Sequence, residues 1–201
     1  MNASLFQWLN RLVRAVIVLG WCAAALGVWT QRERARPAVD YYVLWRDAGW
    51  QRPVPLPRWS GEFRRSISPG LLELVDDRQA KWRVSLRGLA TVNPDDPRHG
   101  LTNRWFLRQV LTNVTRELTG KSLEIGSVGT AGNREITGFV YREGQLLQSA
   151  WVRAGWYRLR AEDCRILPLG EQYELRLAER EAQKQRAGLW SLPGNSAPTE
   201  P

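Results

Sequence analysis

Five short β-forming segments, with one amphipathic helix between the third and fourth, favour a small closed barrel. The segments run Glu62 to Ile67, Leu71 to Val75, Trp82 to Leu89, Ser122 to Ser127 and Glu135 to Tyr141. They are rich in β-formers, and Pro69-Gly70, Asp76-Asp77 and Gly129 with Gly132 punctuate them as turns. Between the third and fourth, Trp105, Leu107, Val110, Leu111, Val114 and Leu118 repeat at helical spacing, and Gly120 takes the C-cap role. Leu147 to Ala154 is expected to form a second helix ended by Gly155. A third is expected from Glu171 to Ala187, with Tyr173, Leu175, Leu177 and Ala178 as apolar positions and Gly188 as its stop.

Ahead of this pattern, Ala15 to Trp29 reads AVIVLGWCAAALGVW, a run without a charge. A span of the hydrocarbon core takes about 20 apolar residues. Leu12 and Val13 extend the run if Arg14 reaches the headgroups. An N-terminal transmembrane anchor is therefore expected over residues 1–36, with Arg32, Arg34 and Arg36 as its basic flank. The competing reading is a cleaved leader, with Arg11 and Arg14 before the apolar run and Ala23-Ala24-Ala25 as small residues; bulky Trp29 and the charges after it make a poor cleavage context. Arginines flank both sides of the run, so the positive-inside rule selects neither face of the membrane. Pro37, Pro53, Pro55 and Pro57 among aromatics make residues 37–59 an expected extended, semi-rigid spacer. Asp40 to Trp45 could instead add an edge strand or lie on the membrane. Residues 193–201 read as a loose tail.

The chain has 201 residues and a formal net charge of +9. That length suits one domain plus an appendage, and the charge draws anionic partners, either nucleic acid or an acidic lipid surface. Eleven tryptophans are unusual. Trp8, Trp21 and Trp29 sit in or beside the apolar run, while the others are expected in the core or along a groove. Cys22 and Cys164 imply neither a disulfide framework nor a thiolate metal site, and His99 is the only histidine.

Four stretches carry a resemblance to staphylococcal-nuclease-like domains. They are Gly120-Lys121-Ser122-Leu123-Glu124, Gly138-Phe139-Val140-Tyr141-Arg142-Glu143-Gly144, Leu146 to Gly155 (LLQSAWVRAG), and Arg186-Ala187-Gly188-Leu189-Trp190. The resemblance covers roughly residues 60 to 192. It implies an α+β fold, a five-stranded OB-fold β-barrel with about three helices, here preceded by one transmembrane helix.

The same resemblance implies where a metal-assisted phosphodiester cleavage would be housed. The family's third-strand motif, V-R-L-x-G-I-D-x-P-E, falls on Val84 to Asn93. Ser85 then replaces a phosphate-binding arginine, Ala90 a calcium-binding aspartate and Asn93 the proposed general base. Thr91 matches a metal-site threonine. The D-G-D-T turn falls near Ser68 to Leu71, with Gly70 where a second aspartate is expected. The second arginine falls on Glu135, and Arg134 reaches it only by a one-residue slip. Alanine and asparagine in place of carboxylates remove both metal-binding charge and proton-accepting capacity. Asp76, Asp77, Asp95 and Asp96 are the acids that could rebuild a site in another register, but they sit in turn contexts where Asp serves the turn.

The expected function is therefore a membrane-tethered, catalytically inactive binding or scaffold module, a pseudoenzyme with no cofactor. Its partner would be nucleic acid, protein or an anionic lipid surface. Arg83, Arg87, Arg104, Trp105 and Arg134 are the binding candidates, although Trp82 faces away from Arg83 on its strand. The alternative is a membrane-bound nuclease with a divergent site requiring Ca2+. An anchored subunit of a larger membrane complex is a third reading, with no motif of its own.

Overall fold

The structure is a computed structural model, and it describes residues 38–39, 41–46, 55–130, 132 and 134–194. The apolar run at residues 15–29 and the tail from residue 195 onward lie outside these. Among the described residues no helix is long and apolar enough to cross a membrane.

Alternation with period two builds the barrel. In β3 (Lys81–Leu86), Val84 and Leu86 are buried while Lys81, Arg83 and Ser85 face outward. The same alternation buries Phe63 in β1 (Arg58–Ser68), Leu72 and Leu74 in β2 (Leu71–Val75), and Leu123 and Ile125 in β5 (Ser122–Thr130). In β6 (Glu135–Arg142) both faces are covered: Ile136 and Val140 alternate with Phe139 and Tyr141. β1, β2 and β3 form an antiparallel meander, β5 pairs antiparallel with β1 and with β6, and β6 runs parallel to β3. That last pairing closes a five-stranded mixed barrel compatible with an OB-fold.

The expected third strand is interrupted. Leu86 ends β3, Gly88 turns the chain at a φ of 77°, and Leu89–Ala90 (β4) pairs instead with Arg158–Leu159 (β8). Glycine is required at this turn, because a Cβ on Gly88 would lie 2.5 Å from the Cys164 Sγ.

Helix α1 (Gly100–Leu118) buries Asn103, Phe106, Val110, Val114 and Leu118, and Gly120 follows it at a φ of 71°. Trp105, counted by spacing among the apolar positions, is exposed, and Phe106 faces inward in its place. β7 (Gln145–Leu146) leads into α2 (Leu147–Arg153), whose buried Gln148 accepts a hydrogen bond from the Val140 amide at 3.0 Å. Helix α3 (Leu169–Lys184) packs along α2 and meets β6 through the Tyr141 hydroxyl, which donates to Glu171 at 2.8 Å. Behind α2 the Leu189 amide donates to the Gly155 carbonyl at 2.8 Å, fixing the chain after α3 to the chain after α2.

Residues 38–39 and 41–46 belong to a separate unit and are helical, where an extended spacer was expected. Pro37 and Pro53 flank that stretch and no proline lies within it, so nothing removes its amide donors. Of the tryptophans in the described residues, Trp151 and Trp190 are core, Trp59, Trp82 and Trp156 are half-buried, and Trp45 and Trp105 are exposed.

Candidate functional site

The turn between β1 and β2 and the end of β3 lie side by side, since Leu71 pairs with Ser85 and Ser85 with Thr137 of β6. The nuclease resemblance would put its metal here. Gly70 instead uses its backbone for packing. Its carbonyl accepts the Leu86 amide at 2.8 Å, and its backbone makes a hydrogen bond to the Tyr157 phenol. Tyr157 is only 1% exposed, and burial raises its pKa above the ordinary tyrosine value, so it stays a neutral phenol. Phe139 and Cys164 fill the space under Gly88. Burial, with the Asp163 charge adding to it, pushes the Cys164 thiol up to about 12, which leaves it protonated and unreactive at neutral pH.

Two residues along each strand, four charged residues cross four adjacent strands in alternating sign. Arg65 pairs in register with Glu73, Glu73 with Arg83, and Arg83 with Glu135. The Arg65 Nη2 stands 3.1 Å from Glu73 Oε2, and Arg83 Nη1 stands 3.4 Å from Glu135 Oε1. Glu73 is the shielded member, its side chain 10% exposed. Glu135, the one acid among the positions transferred from the resemblance, is thus held by a cation. Exposed pairs of this kind contribute little to stability, about 0–1 kcal/mol, but they fix where the charges point.

Ala90, Thr91 and Asn93 leave this region. Ala90 pairs with Arg158, whose guanidinium lies 4.8 Å from the Trp190 ring centroid. Thr91 is exposed. Asn93 organises the approach to α1: its Oδ1 accepts the Asp95 amide at 3.0 Å and its carbonyl accepts Asn103 Nδ2 at 2.7 Å.

The four candidate acids do local work or face water. Asp76 Oδ1 accepts the amides of Arg78 and Ala80 at 2.9 and 2.8 Å, while Oδ2 accepts Trp82 Nε1 at 3.0 Å. These bonds, the Trp82 one foremost, lower its pKa. Asp96 Oδ1 accepts the amides of Arg98 and His99, both at 2.8 Å, and its carbonyl accepts the Gly100 amide at 2.8 Å, so it opens α1. The Arg98 amide is the first cause of its lowered pKa. Asp77 and Asp95 are exposed. Among the described residues no three His, Cys, Asp or Glu side chains gather to hold a metal.

The five binding candidates divide among three places. Arg83 and Arg134 are neighbours, the Arg134 carbonyl accepting the Arg83 amide at 2.9 Å. Arg87, past the end of β3, donates from Nε to the Asp163 carbonyl at 3.2 Å and lies 3.5 Å from the Asp163 carboxylate. Arg104 and Trp105 stand together on α1. Leu101 was overlooked in the sequence: it is 82% exposed and one turn ahead of Trp105, which is 59% exposed. Its spacing of four from Trp105, out of phase with Phe106 and Val110, carried the signal.

No protein-family model matches the chain, and no curated protein matches it.

Proposed function

We propose that this protein is a membrane-tethered, catalytically inactive nuclease-like domain that acts as a binding or scaffold module. A single observation carries the reading. Where a metal-assisted phosphodiesterase needs oxygen ligands and a base, Gly70, Ser85, Ala90, Thr91 and Asn93 supply no ionisable side chain, and Glu135 is paired with Arg83. The Gly70 carbonyl, which accepts the Leu86 amide, is also engaged within the barrel. The barrel alone does not select a ligand, because OB-type barrels serve many partners. The uncharged run Ala15 to Trp29 supports the tether.

The test is cleavage of a labelled single-stranded oligonucleotide by the full chain in detergent, with calcium and with chelator, beside a binding titration on the same sample. No turnover in either condition is expected. Calcium-dependent turnover that disappears in Asp95→Ala/Asp96→Ala would overturn the reading and install a divergent nuclease. Retention of the chain in the membrane pellet after alkaline carbonate extraction tests the tether separately.

A further inference from the structure

We propose that the outward face of the first half of α1, made by Leu101, Arg104, Trp105 and Arg108, docks on an anionic bilayer surface. The inference rests on the tether reading, which places the domain beside lipid.

Three observations converge on that face. Leu101 and Trp105 are among the most exposed large apolar side chains described, and a spacing of four puts them on one side of the helix. Arg104 and Arg108 flank them and are exposed too. Among the described residues no carboxylate forms a recorded ion pair with Arg104 or Arg108. The first turn of α1 has none, and the helix's only carboxylate, Glu117, accepts Trp151 Nε1 of α2 at 3.0 Å. Asp96, just ahead, is committed to the amides of Arg98 and His99.

Arg104 and Arg108 stand in the second and third turns of α1, past the reach of the helix dipole, and no ion pair recorded among the described residues accounts for them. An external negative surface does. The apolar members decide which kind. An indole settles at the lipid headgroup level, arginines extend their guanidinium groups to phosphates while their stems lie along apolar surface, and a leucine gains by leaving water. A nucleic-acid strand would stack on Trp105 but leave Leu101 wet. Two apolar side chains and two arginines bind weakly by themselves; attachment to the same bilayer makes the contact intramolecular and raises its effective concentration.

The experiment uses the full chain, with Cys22→Ser, reconstituted into phosphatidylcholine vesicles and into phosphatidylcholine–phosphatidylglycerol vesicles. An environment-sensitive dye is attached at Thr102→Cys, beside the face, or at Asp77→Cys in the β2–β3 turn as reference; native Cys164 is buried. Quenching by spin labels carried on the lipids near the headgroup is read. Expected is several-fold stronger quenching at residue 102 than at residue 77 in the anionic vesicles. The difference should fall at high salt and in neutral vesicles. Leu101→Ser/Trp105→Ser and Arg104→Glu/Arg108→Glu should each abolish it while circular dichroism stays unchanged, all four being surface positions.

Equal quenching at both positions, or none at residue 102 in a chain that floats with vesicles after carbonate washing, overturns the proposal and leaves the tether intact. Salt-sensitive quenching in a chain that the wash strips off supports the docking face and removes the tether. No quenching at residue 102, together with salt-sensitive binding of a single-stranded oligonucleotide that Arg104→Glu/Arg108→Glu abolishes, assigns the face to nucleic acid and also overturns the proposal.

Discussion

Gly155→Ala should be among the most damaging single-methyl additions in the domain, and the structure gives the size of the effect. Gly155 holds a φ of 70°, where a Cβ costs about 1 kcal/mol. The new Cβ would also press on the Ala187 carbonyl group, 2.5 Å from its carbon, and stand 3.0 Å from the Gly188 nitrogen. Backbone on that side has no flexible end to move away, and relieving such overpacking costs typically ~1–3 kcal/mol. Moving the strands of chain apart weakens the bond from the Leu189 amide to the Gly155 carbonyl, about 1 kcal/mol more. The sum is about 3–5 kcal/mol, a large part of the ~5–15 kcal/mol that holds an ordinary domain together. Two other glycines isolate the terms. Gly120 has a φ of 71° with nothing within 4 Å of a Cβ, so Gly120→Ala should cost about 1 kcal/mol. Gly170 has neither a positive φ nor a neighbour, so Gly170→Ala should be neutral or stabilising by up to ~1 kcal/mol. Urea unfolding followed by tryptophan fluorescence reads all three. Agreement of Gly155→Ala and Gly120→Ala within ~0.5 kcal/mol, about the margin at which independent sites add, would refute the close backbone contact.

Two pH-linked predictions accompany it. Burial raises the pKa of Glu179, whose carboxylate accepts the Leu159 amide at 2.8 Å. A carboxyl with a raised folded pKa contributes most below its unfolded value and loses that contribution as pH rises through the folded one. Glu179→Gln keeps an acceptor without the charge, so its melting temperature should exceed that of the parent at neutral pH and converge with it below pH ~4, near the ordinary glutamate pKa; a lower value at neutral pH would contradict the burial cost. Asp76 has the opposite sign. Its folded pKa is lowered by Trp82 and the Ala80 amide, so its contribution is present above the unfolded value and fades as pH falls through the folded one. Asp76→Asn should lower the melting temperature at neutral pH, with the gap closing in acid; a gap constant with pH would mean that the charge plays no part.

Most of the barrel was legible because its signals are local. Period-two burial in Lys81–Leu86 and the glycines after α1 and α2 can be read residue by residue. The break at Gly88 was not, because Leu89 and Ala90 are as suited to a strand as Leu86, and only their partner, Arg158–Leu159, shows that they belong elsewhere. Trp105 was misplaced because Trp105 and Phe106 are adjacent apolar residues, and spacing alone does not say which one meets the barrel. At the positions transferred from the resemblance only the residue types were legible: Gly70, Ala90 and Asn93 carry no ionisable side chain wherever they fold. The commitments of Asp76 and Asp96 followed from their turn contexts, whereas the Arg65, Glu73, Arg83 and Glu135 row needed the register of four strands. The Tyr157 plug under Gly70 joins residues far apart in sequence and had no local sign.

Closure of the barrel by a parallel pair sets an order of events on the chain. β1, β2 and β3 can assemble as a meander as soon as they exist, yet both outer edges of that meander remain unpaired until β5 reaches β1 and β6 reaches β3. Arg83 and its partner Glu135 are 52 residues apart in the sequence, with all of α1 between them. Contacts that distant form late in folding. A chain interrupted anywhere before residue 135 would therefore be a sticky half-sheet with two open edges rather than a smaller version of the domain. Two fragments divided at Gly120 should each lack the closed barrel, the first stopping at the open meander, and should complete it only by finding each other.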